Sequence, residues 1–123
     1  MSPILIVEDD PDVRASLVEV LEDEGYRVET AGNGAEALDY LRGASPDLPR
    51  LILLDMMMPR MDGFEFRAEQ SNDTVLSRIP VAVVTADDQA GRRAAALGVN
   101  GYLRKPVQLT DLLALVEKLA GLP

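Results

Sequence analysis

The chain contains neither cysteine nor histidine. Without cysteine it has no disulfide, no thiolate nucleophile and no cysteine-based metal or redox site. Without histidine it lacks the usual general base, the commonest zinc ligand and any phosphohistidine of its own. Any chemistry must therefore use carboxylates, lysine, arginine, serine, threonine or tyrosine.

Positive charge is scarce, and long hydrophobic runs are missing. Twelve Lys and Arg stand against 21 Asp and Glu, for a net charge of −9, which disfavours binding to nucleic acid or to an anionic membrane surface. No stretch approaches the length of a membrane span, and the apolar run 4–7 ends in acids, unlike a signal peptide. With 47% apolar and 27% charged residues, we expect a soluble, globular and, by default, cytoplasmic protein.

Short apolar runs alternate with segments of helical periodicity along the whole chain. The predicted strands are 4–7, 27–31, 51–54, 81–85 and 101–104; the predicted helices run from Asp10-Pro11 to Gly25, 34–43, 63 to about 71, 88–98 and 108–120. Strands that are apolar on both faces, each followed by a helix, predict an α/β domain with a parallel sheet covered on both sides. At 123 residues, one domain is expected over positions 1–123.

Polar side chains follow the predicted strands at the points where the strands end. They are Glu8, Asp9 and Asp10 after the first strand, Asp55 after the third, Thr85 at the end of the fourth and Lys105 after the fifth. In parallel sheets of this kind, binding sites lie outside the carboxyl ends of the strands. We therefore expect these residues to converge on one edge of the sheet, and this convergence is the main argument for a functional site.

The carboxylates of Glu8, Asp9 and Asp55 would repel one another if they lie close together, and each would raise the pKa of the others. A hard divalent cation such as Mg²⁺, which prefers oxygen ligands, resolves that conflict. Capping of the first helix explains Asp10 without any ligand. It does not explain Glu8 and Asp9, which precede the cap, although surface acids are common.

Asp55 is the most specific of these residues, because a carboxylate can attack phosphorus and form an acyl phosphate. Lys105 suits a phosphate oxygen as a point charge, the Thr85 hydroxyl can donate to another, and Ala86 is small enough to leave room. Ordinary roles remain open: Lys105 as a solvated lysine and Thr85 as a capping hydroxyl. Together, on one edge, they favour phosphoryl transfer.

Four segments resemble the receiver domain of bacterial two-component response regulators, the CheY-like family. They are "ILIVEDD", "LLDMMMPRMDG", "VVTA" and "YLRKP", and the resemblance extends over nearly the whole chain. It implies a single-domain (βα)5 flavodoxin-like fold, a doubly wound parallel sheet with strand order 2-1-3-4-5.

The resemblance also implies roles for individual residues. Asp55 resembles the phospho-accepting aspartate. Glu8 and Asp9 resemble the pair that binds Mg²⁺, or Mn²⁺ in its place, with Asp9 as direct ligand and Glu8 acting through water. The backbone carbonyl of Met57 would be a further ligand.

Three other residues resemble the switch of the family. Lys105 would bind the phosphate, Thr85 would be the switch hydroxyl and Tyr102 the switch aromatic, although Tyr102 could also be an ordinary half-buried strand tyrosine. The phosphoryl group would come from a histidine kinase or a histidine phosphotransfer protein. The output would be a changed surface of helix 4, strand 5 and helix 5 that a downstream protein target reads, without nucleic acid or membrane.

Further implications concern activity and assembly. The domain would catalyse only its own phosphorylation and a slow dephosphorylation, as a monomer or a phosphorylation-dependent dimer. Met57 has no acid or amide to orient water, so modest self-hydrolysis is expected. The Ala- and Gly-rich fourth helix should be marginal by propensity.

Three alternatives remain. A flavin or nucleotide binder would need a loop rich in Gly, Ser or Thr where this chain has "EDDPD". A haloacid-dehalogenase-type phosphatase would need a second acid at position 57. A pseudo-receiver would keep the fold as a docking module without phosphorylation. The sequence leaves open whether the receiver acts alone or within a longer regulator.

Overall fold

The chain folds as strands alternating regularly with helices. The computed structural model describes residues 2–96 and 98–123. In these residues the strands are β1 (Ile4–Val7), β2 (Val28–Ala31), β3 (Leu51–Asp55), β4 (Val81–Thr85) and β5 (Gly101–Arg104). The helices are α1 (Pro11–Asp23), α2 (Gly34–Ala44), α3 (Gly63–Ser71), α4 (Asp88–Ala96) and α5 (Leu109–Ala120).

These bounds agree with the predicted ones to within one or two residues at every described end. One short element was not predicted, a 3₁₀ helix over Leu76–Arg78 just before β4. The predicted end of α4 at Gly98 includes Leu97, which lies outside the described residues.

The five strands form one parallel sheet in the order β2-β1-β3-β4-β5, as predicted. Val7 pairs with Leu54, and Asp55 pairs with Val84 on the next strand. The carboxyl ends of β1, β3 and β4 are therefore nearly level. This register brings the residues that follow these strands to a common edge.

Helices cover both faces of the sheet. Alternate strand residues join two apolar clusters, since successive side chains of a strand point to opposite faces. One cluster packs sheet residues against α2, α3 and α4 (Leu5, Val7, Ile52, Leu54, Val83, Leu38, Leu41, Phe66, Ala94), and the other packs them against α1 and α5 (Ile4, Ile6, Leu53, Val84, Leu17, Leu21, Leu112, Val116). Among the helices in residues 2–96 and 98–123, none has the length and apolar character needed to span a membrane.

Aspartates begin two of the helices that follow the site loops. The Asp10 carboxylate accepts the Asp12 and Val13 N–H groups at 2.9 and 3.2 Å. Asp62 accepts the Glu65 N–H at 2.9 Å, and the Glu65 carboxylate accepts the Asp62 N–H in return, which completes a capping box. Both loops are thereby tied to rigid helices, and the Asp10 cap was predicted.

The end of α5 is bound by residues just before β2 and β3, at the edge of the sheet opposite the carboxyl edge. The Tyr26 hydroxyl donates to the Gly121 carbonyl at 2.7 Å, and Arg50 donates to the Leu122 carbonyl at 2.9 Å. The Arg50 guanidinium lies over the Tyr26 ring at 5.1 Å from its centroid. These contacts fix α5 against the sheet, and with it the loop that carries Lys105.

Candidate functional site at the carboxyl edge of the sheet

Asp55, the last residue of β3, lines a cavity of about 270 Å³ at the carboxyl edge. The residue is only 4% exposed. One carboxylate oxygen, Oδ1, accepts the Met57 N–H at 3.1 Å, which fixes the orientation of the group. The other oxygen, Oδ2, lies 3.4 Å from Lys105 Nζ. The carboxylate is thus held by the loop on one side and faces a cation on the other.

Lys105 reaches into the site from the segment after β5. Its Nζ donates to Glu8 Oε1 at 2.7 Å, a contact between residues 97 positions apart. Its backbone N–H donates to the Thr85 carbonyl at 3.0 Å, which places the start of the side chain beside β4. Lys105 is therefore not a solvated surface lysine, and its ammonium balances two carboxylates.

Three carboxylates meet in this cavity. One oxygen each from Glu8, Asp9 and Asp55 lies within 4.8 Å of the other two. Glu8 is almost wholly buried, whereas Asp9 is partly exposed. Such a set of hard oxygen donors, open on one side to water, fits Mg²⁺, which keeps several of its own waters. Met57 lines the same cavity, beside these three acids.

Backbone contacts hold Glu8 in place. The Asp10 N–H lies 3.3 Å from Glu8 Oε2, and Arg14 of α1 donates to the Glu8 carbonyl at 2.9 Å. The role of Arg14 was not predicted from the sequence, because an arginine early in an amphipathic helix has no distinguishing pattern. Its role is visible only once α1 lies against β1.

Thr85 is buried at the end of β4, and its hydroxyl oxygen accepts the Asp87 N–H at 3.2 Å. Asp87 in turn caps α4, since its carboxylate accepts the Gln89 N–H at 2.8 Å. The threonine therefore has the local bonding expected of a residue at a loop start. It also lines the Asp55 cavity together with Ala86, so both roles assigned to it from sequence are compatible with its position.

Tyr102 lies on β5 outside the cavity, with 38% of its surface exposed. Its ring rests on α4 at Gly91: a Cβ built there would overlap Tyr102 Cε2 and lie 2.7 Å from Cζ. The missing side chain at Gly91 is what lets the ring lie this close to the helix. This contact was not predicted from the sequence, because composition shows that the fourth helix is rich in Ala and Gly but not that a ring approaches it closely.

We expect Gly91→Ala to move the Tyr102 ring off α4. The contact is with the mobile end of a side chain, so the ring can turn away while the helix stays folded, and alanine favours the helix by about 1 kcal/mol. Ring NMR signals of Tyr102 should shift, while those of Tyr26 and Tyr40 stay in place. Unchanged Tyr102 signals would show that the ring does not depend on this gap.

The charges in the cavity shift the pKa values of three groups. Burial raises the pKa of Asp55 to about 7, and the hydrogen bond with Glu8 adds to the rise, against the opposing Met57 N–H. Burial alone would raise the pKa of Glu8, but hydrogen bonds with Asp55 and Lys105 hold it below its usual value. Burial alone would lower the pKa of Lys105, but Glu8 and Asp55 raise it. Near neutral pH the metal-free site thus holds charged Glu8 and Lys105, with Asp55 partly protonated.

A pH-dependent stability difference between Asp55→Asn and the parent chain follows. Between about pH 4 and 7 folded Asp55 holds a proton that the unfolded chain has released, so its contribution to stability falls as pH rises. Asparagine does not titrate. In a chelator, the variant should therefore be more stable than the parent by about 2 kcal/mol above pH 7, which is less than the full pKa difference between folded and unfolded Asp55 would give. Near pH 4 the two proteins should differ little in stability. Urea unfolding at several pH values measures the difference. A gain that does not change with pH would contradict this account.

An apolar groove of about 580 Å³ lies beside the site, between α1 and the segment after β5. It shares Ala86 and Lys105 with the Asp55 cavity, and apolar side chains form most of its wall (Val13, Leu17, Val20, Pro106, Val107, Leu109, Leu112). A protein that approached Asp55 from this side would therefore find an apolar surface next to that carboxylate.

The parallel five-stranded sheet thus carries an acidic cluster, a threonine and a lysine at its carboxyl edge. The chain belongs to the response regulator receiver domain family, whose model matches residues 4–117. It is a domain of two-component signalling proteins.

Individual relatives agree with this assignment. The response regulator MprA of Mycobacterium avium is 43% identical over 118 residues, which cover 94% of this chain and 50% of that protein. The chemotaxis protein CheY4 of Vibrio cholerae superposes with a TM-score of 0.85 at 30% identity, over 97% of this chain and 98% of the other. The signal receiver domain of a histidine kinase from Syntrophus aciditrophicus superposes with a TM-score of 0.86 at 34% identity, over 98% and 90%. The chain spans about half the length of the curated relatives it matches.

Proposed function

We propose that this chain, as one receiver unit over residues 1–123, accepts a phosphoryl group on Asp55 in a two-component phosphorelay. The observation that carries the proposal is the Asp55 carboxylate, buried at the base of an open cavity with Lys105 Nζ 3.4 Å away and two further acids beside it. A carboxylate that is buried next to other carboxylates costs stability, and this cost favours a functional role for Asp55 over a purely structural one.

The transfer uses few protein groups. An Asp55 oxygen attacks phosphorus, the bond from phosphorus to the donor's imidazole nitrogen breaks, and its electron pair stays on the imidazole. Lys105 is placed to contact a phosphoryl oxygen, and Thr85 lines the same cavity. Mg²⁺, or Mn²⁺ in its place, would be held by Glu8, Asp9, Asp55 and the Met57 carbonyl, where it would offset the negative charge of the phosphoryl group.

The partners follow from the chemistry. The donor is a phosphohistidine on a histidine kinase or a histidine phosphotransfer protein, since this chain has no histidine. The apolar groove beside Asp55 gives such a protein a surface to contact. The recipient of the signal is a downstream protein, with the receiver a monomer or a phosphorylation-dependent dimer. The net charge of −9 disfavours nucleic acid and anionic membranes as partners.

Phosphorylation would change the surface formed by α4, β5 and α5. The Thr85 hydroxyl would leave the Asp87 N–H for a phosphoryl oxygen, and Tyr102, now resting on Gly91, would follow it inward. This is a population shift in which a local charge selects one of two arrangements. If Thr85→Ala accepts phosphate yet changes that surface as fully as the parent, the coupling is wrong.

Intact-protein mass spectrometry tests the proposal. The protein is incubated with a small acyl-phosphate donor and Mg²⁺, and one added phosphoryl group is expected. Asp55→Asn should gain nothing, and chelation of the metal should prevent the gain. Asp39→Asn, on the exposed face of α2, is the matched control and should gain the group normally.

No addition to a folded parent chain would favour the pseudo-receiver, a docking module without phosphorylation. Addition that persists in Asp55→Asn would place the acceptor elsewhere. The complete set of acids together with Thr85 and Lys105 supports the phosphorylated receiver over that alternative.

A further inference from the structure

In the run Met56-Met57-Met58, the middle residue is exposed and the other two are buried. Met57 is 59% exposed, whereas Met56 and Met58 are 0% and 8% exposed. Met61, three residues on, is half-buried. A thioether in contact with water is open to oxidants, whereas one packed in a core is protected. Exposure thus singles out Met57 within this run.

The exposed residue Met57 stands beside the Asp55 cavity. Met57 lines that cavity with Asp55, Thr85 and Lys105. Its backbone is held beside Asp55, because the Met57 N–H donates to Asp55 Oδ1 at 3.1 Å. Any change in the polarity of the Met57 side chain is therefore made next to the phosphoryl group that Asp55 would carry.

We propose that Met57 is a reversible oxidation site whose sulfoxide shortens the lifetime of the phosphoryl group on Asp55. The proposal rests on the function proposed above. The oxidant is a hydroperoxide: the thioether sulfur attacks one peroxide oxygen, the O–O bond breaks and the S–O bond forms. With hydrogen peroxide the other oxygen leaves as water. Sulfur loses two electrons, and the peroxide gains them.

The sulfoxide differs from the thioether in one property that matters here. A thioether sulfur is a weak hydrogen-bond acceptor, whereas the sulfoxide oxygen is a strongly polar one. Hydrolysis of an acyl phosphate needs a water held in line with phosphorus. A sulfoxide oxygen on a residue that lines the cavity can hold such a water, whereas the thioether sulfur accepts a hydrogen bond only weakly. The change is reversible, since methionine sulfoxide reductases restore the thioether.

Peptide mass mapping after treatment with dilute hydrogen peroxide gives the first test. Oxidation at Met57 should be about tenfold or more faster than at Met56 and Met58, in keeping with their exposure. Equal rates at the three positions would overturn the proposal.

The second test measures decay of the phosphorylated species by intact mass after the donor is removed. Treated protein should lose the phosphoryl group about tenfold faster. This factor is expected if one ordinary hydrogen bond lowers the barrier to hydrolysis. Incubation with methionine sulfoxide reductases should restore the slow decay. In Met57→Leu, treated and untreated samples should decay at the same rate, and untreated Met57→Gln, which carries an amide oxygen, should decay as fast as the oxidised parent.

Selective oxidation with an unchanged decay rate would overturn the role in lifetime. Acceleration that persists in treated Met57→Leu would assign it to another residue and overturn the proposal too. If the proposed phosphoryl acceptance by Asp55 is itself wrong, the result is different: untreated parent protein takes up no phosphoryl group. That result would leave no lifetime to regulate.

Discussion

Replacement of Lys105 by methionine is expected to destabilise the metal-free protein by about 3 kcal/mol above pH 7, at the lower end of the range for a broken buried ion pair. Its Nζ lies 2.7 Å from Glu8 and 3.4 Å from Asp55, whose side chains are 2% and 5% exposed. Methionine keeps much of the length and the apolar stem but removes the cation. Two buried carboxylates would then face each other with no counter-ion, which costs more than the ion pair contributes.

The pH dependence of this loss has a definite sign. Without the ammonium, the pKa of the Asp55 carboxyl should rise further above its present value of about 7, because the Lys105 charge now lowers it. Protonation of one carboxyl relieves the repulsion, so the loss should shrink as pH falls toward 5. Urea unfolding in a chelator, at several pH values, measures it.

Two further variants isolate the cause. Lys118→Met removes the only other lysine, which is exposed on α5, and should change stability by no more than about 0.5 kcal/mol. In the Asp55→Asn background the loss from Lys105→Met should fall well below its value in the parent, because one of the two carboxylates is gone. A loss that is equal in both backgrounds would show that Lys105 acts through packing rather than charge.

Gly63→Ala is expected to cost about 2–3 kcal/mol, as overpacking does in a rigid site, and to slow phosphoryl uptake. A Cβ at Gly63 would lie 2.7 Å from Met56 Cα and 2.8 Å from the Asp55 carbonyl oxygen. Both are backbone atoms and cannot rotate away. The loop from Asp55 to Gly63 would have to shift, and with it the carboxylate whose orientation the Met57 N–H fixes.

Gly43→Ala is the matched control. Gly43 is exposed near the end of α2, and apart from its chain neighbours and the backbone of its own helix no described atom lies within 4 Å of an added Cβ. The same substitution should therefore stabilise the protein by about 0.5–1 kcal/mol through helix propensity alone. Urea unfolding of both variants, with acyl-phosphate uptake followed by mass, makes the comparison. Effects of the same sign at the two glycines would refute the steric argument.

The fold was predictable because its signals are local. Apolar runs such as 51–54, the cap at Asp10 and the stop at Gly25 can each be recognised from a few neighbouring residues. The 3₁₀ helix over Leu76–Arg78 was missed because three residues carry no periodicity. Strand order was implied by family resemblance rather than by any local pattern.

The sequence predicted which residues come together at the carboxyl edge, but not which of their side chains bond to one another. The rule that parallel strands end at one edge placed Glu8, Asp55 and Lys105 together. It did not show that Lys105 bonds to Glu8 more closely than to Asp55, since side-chain distances depend on packing. The exposure of Met57 between two buried methionines is likewise a property of the folded loop, because the three residue types are identical in sequence.

The bond between Lys105 and Glu8 joins the residues that directly follow the first and the last strand, β1 and β5. Residues 97 positions apart meet only after β5 has docked and the intervening units are in place. A nascent or partly unfolded chain would have the acceptor aspartate but not the lysine beside it. If Asp55 accepts a phosphoryl group as proposed, such a chain would lack the lysine that is placed to contact that group. Phosphoryl uptake would then report that the chain has completed its fold.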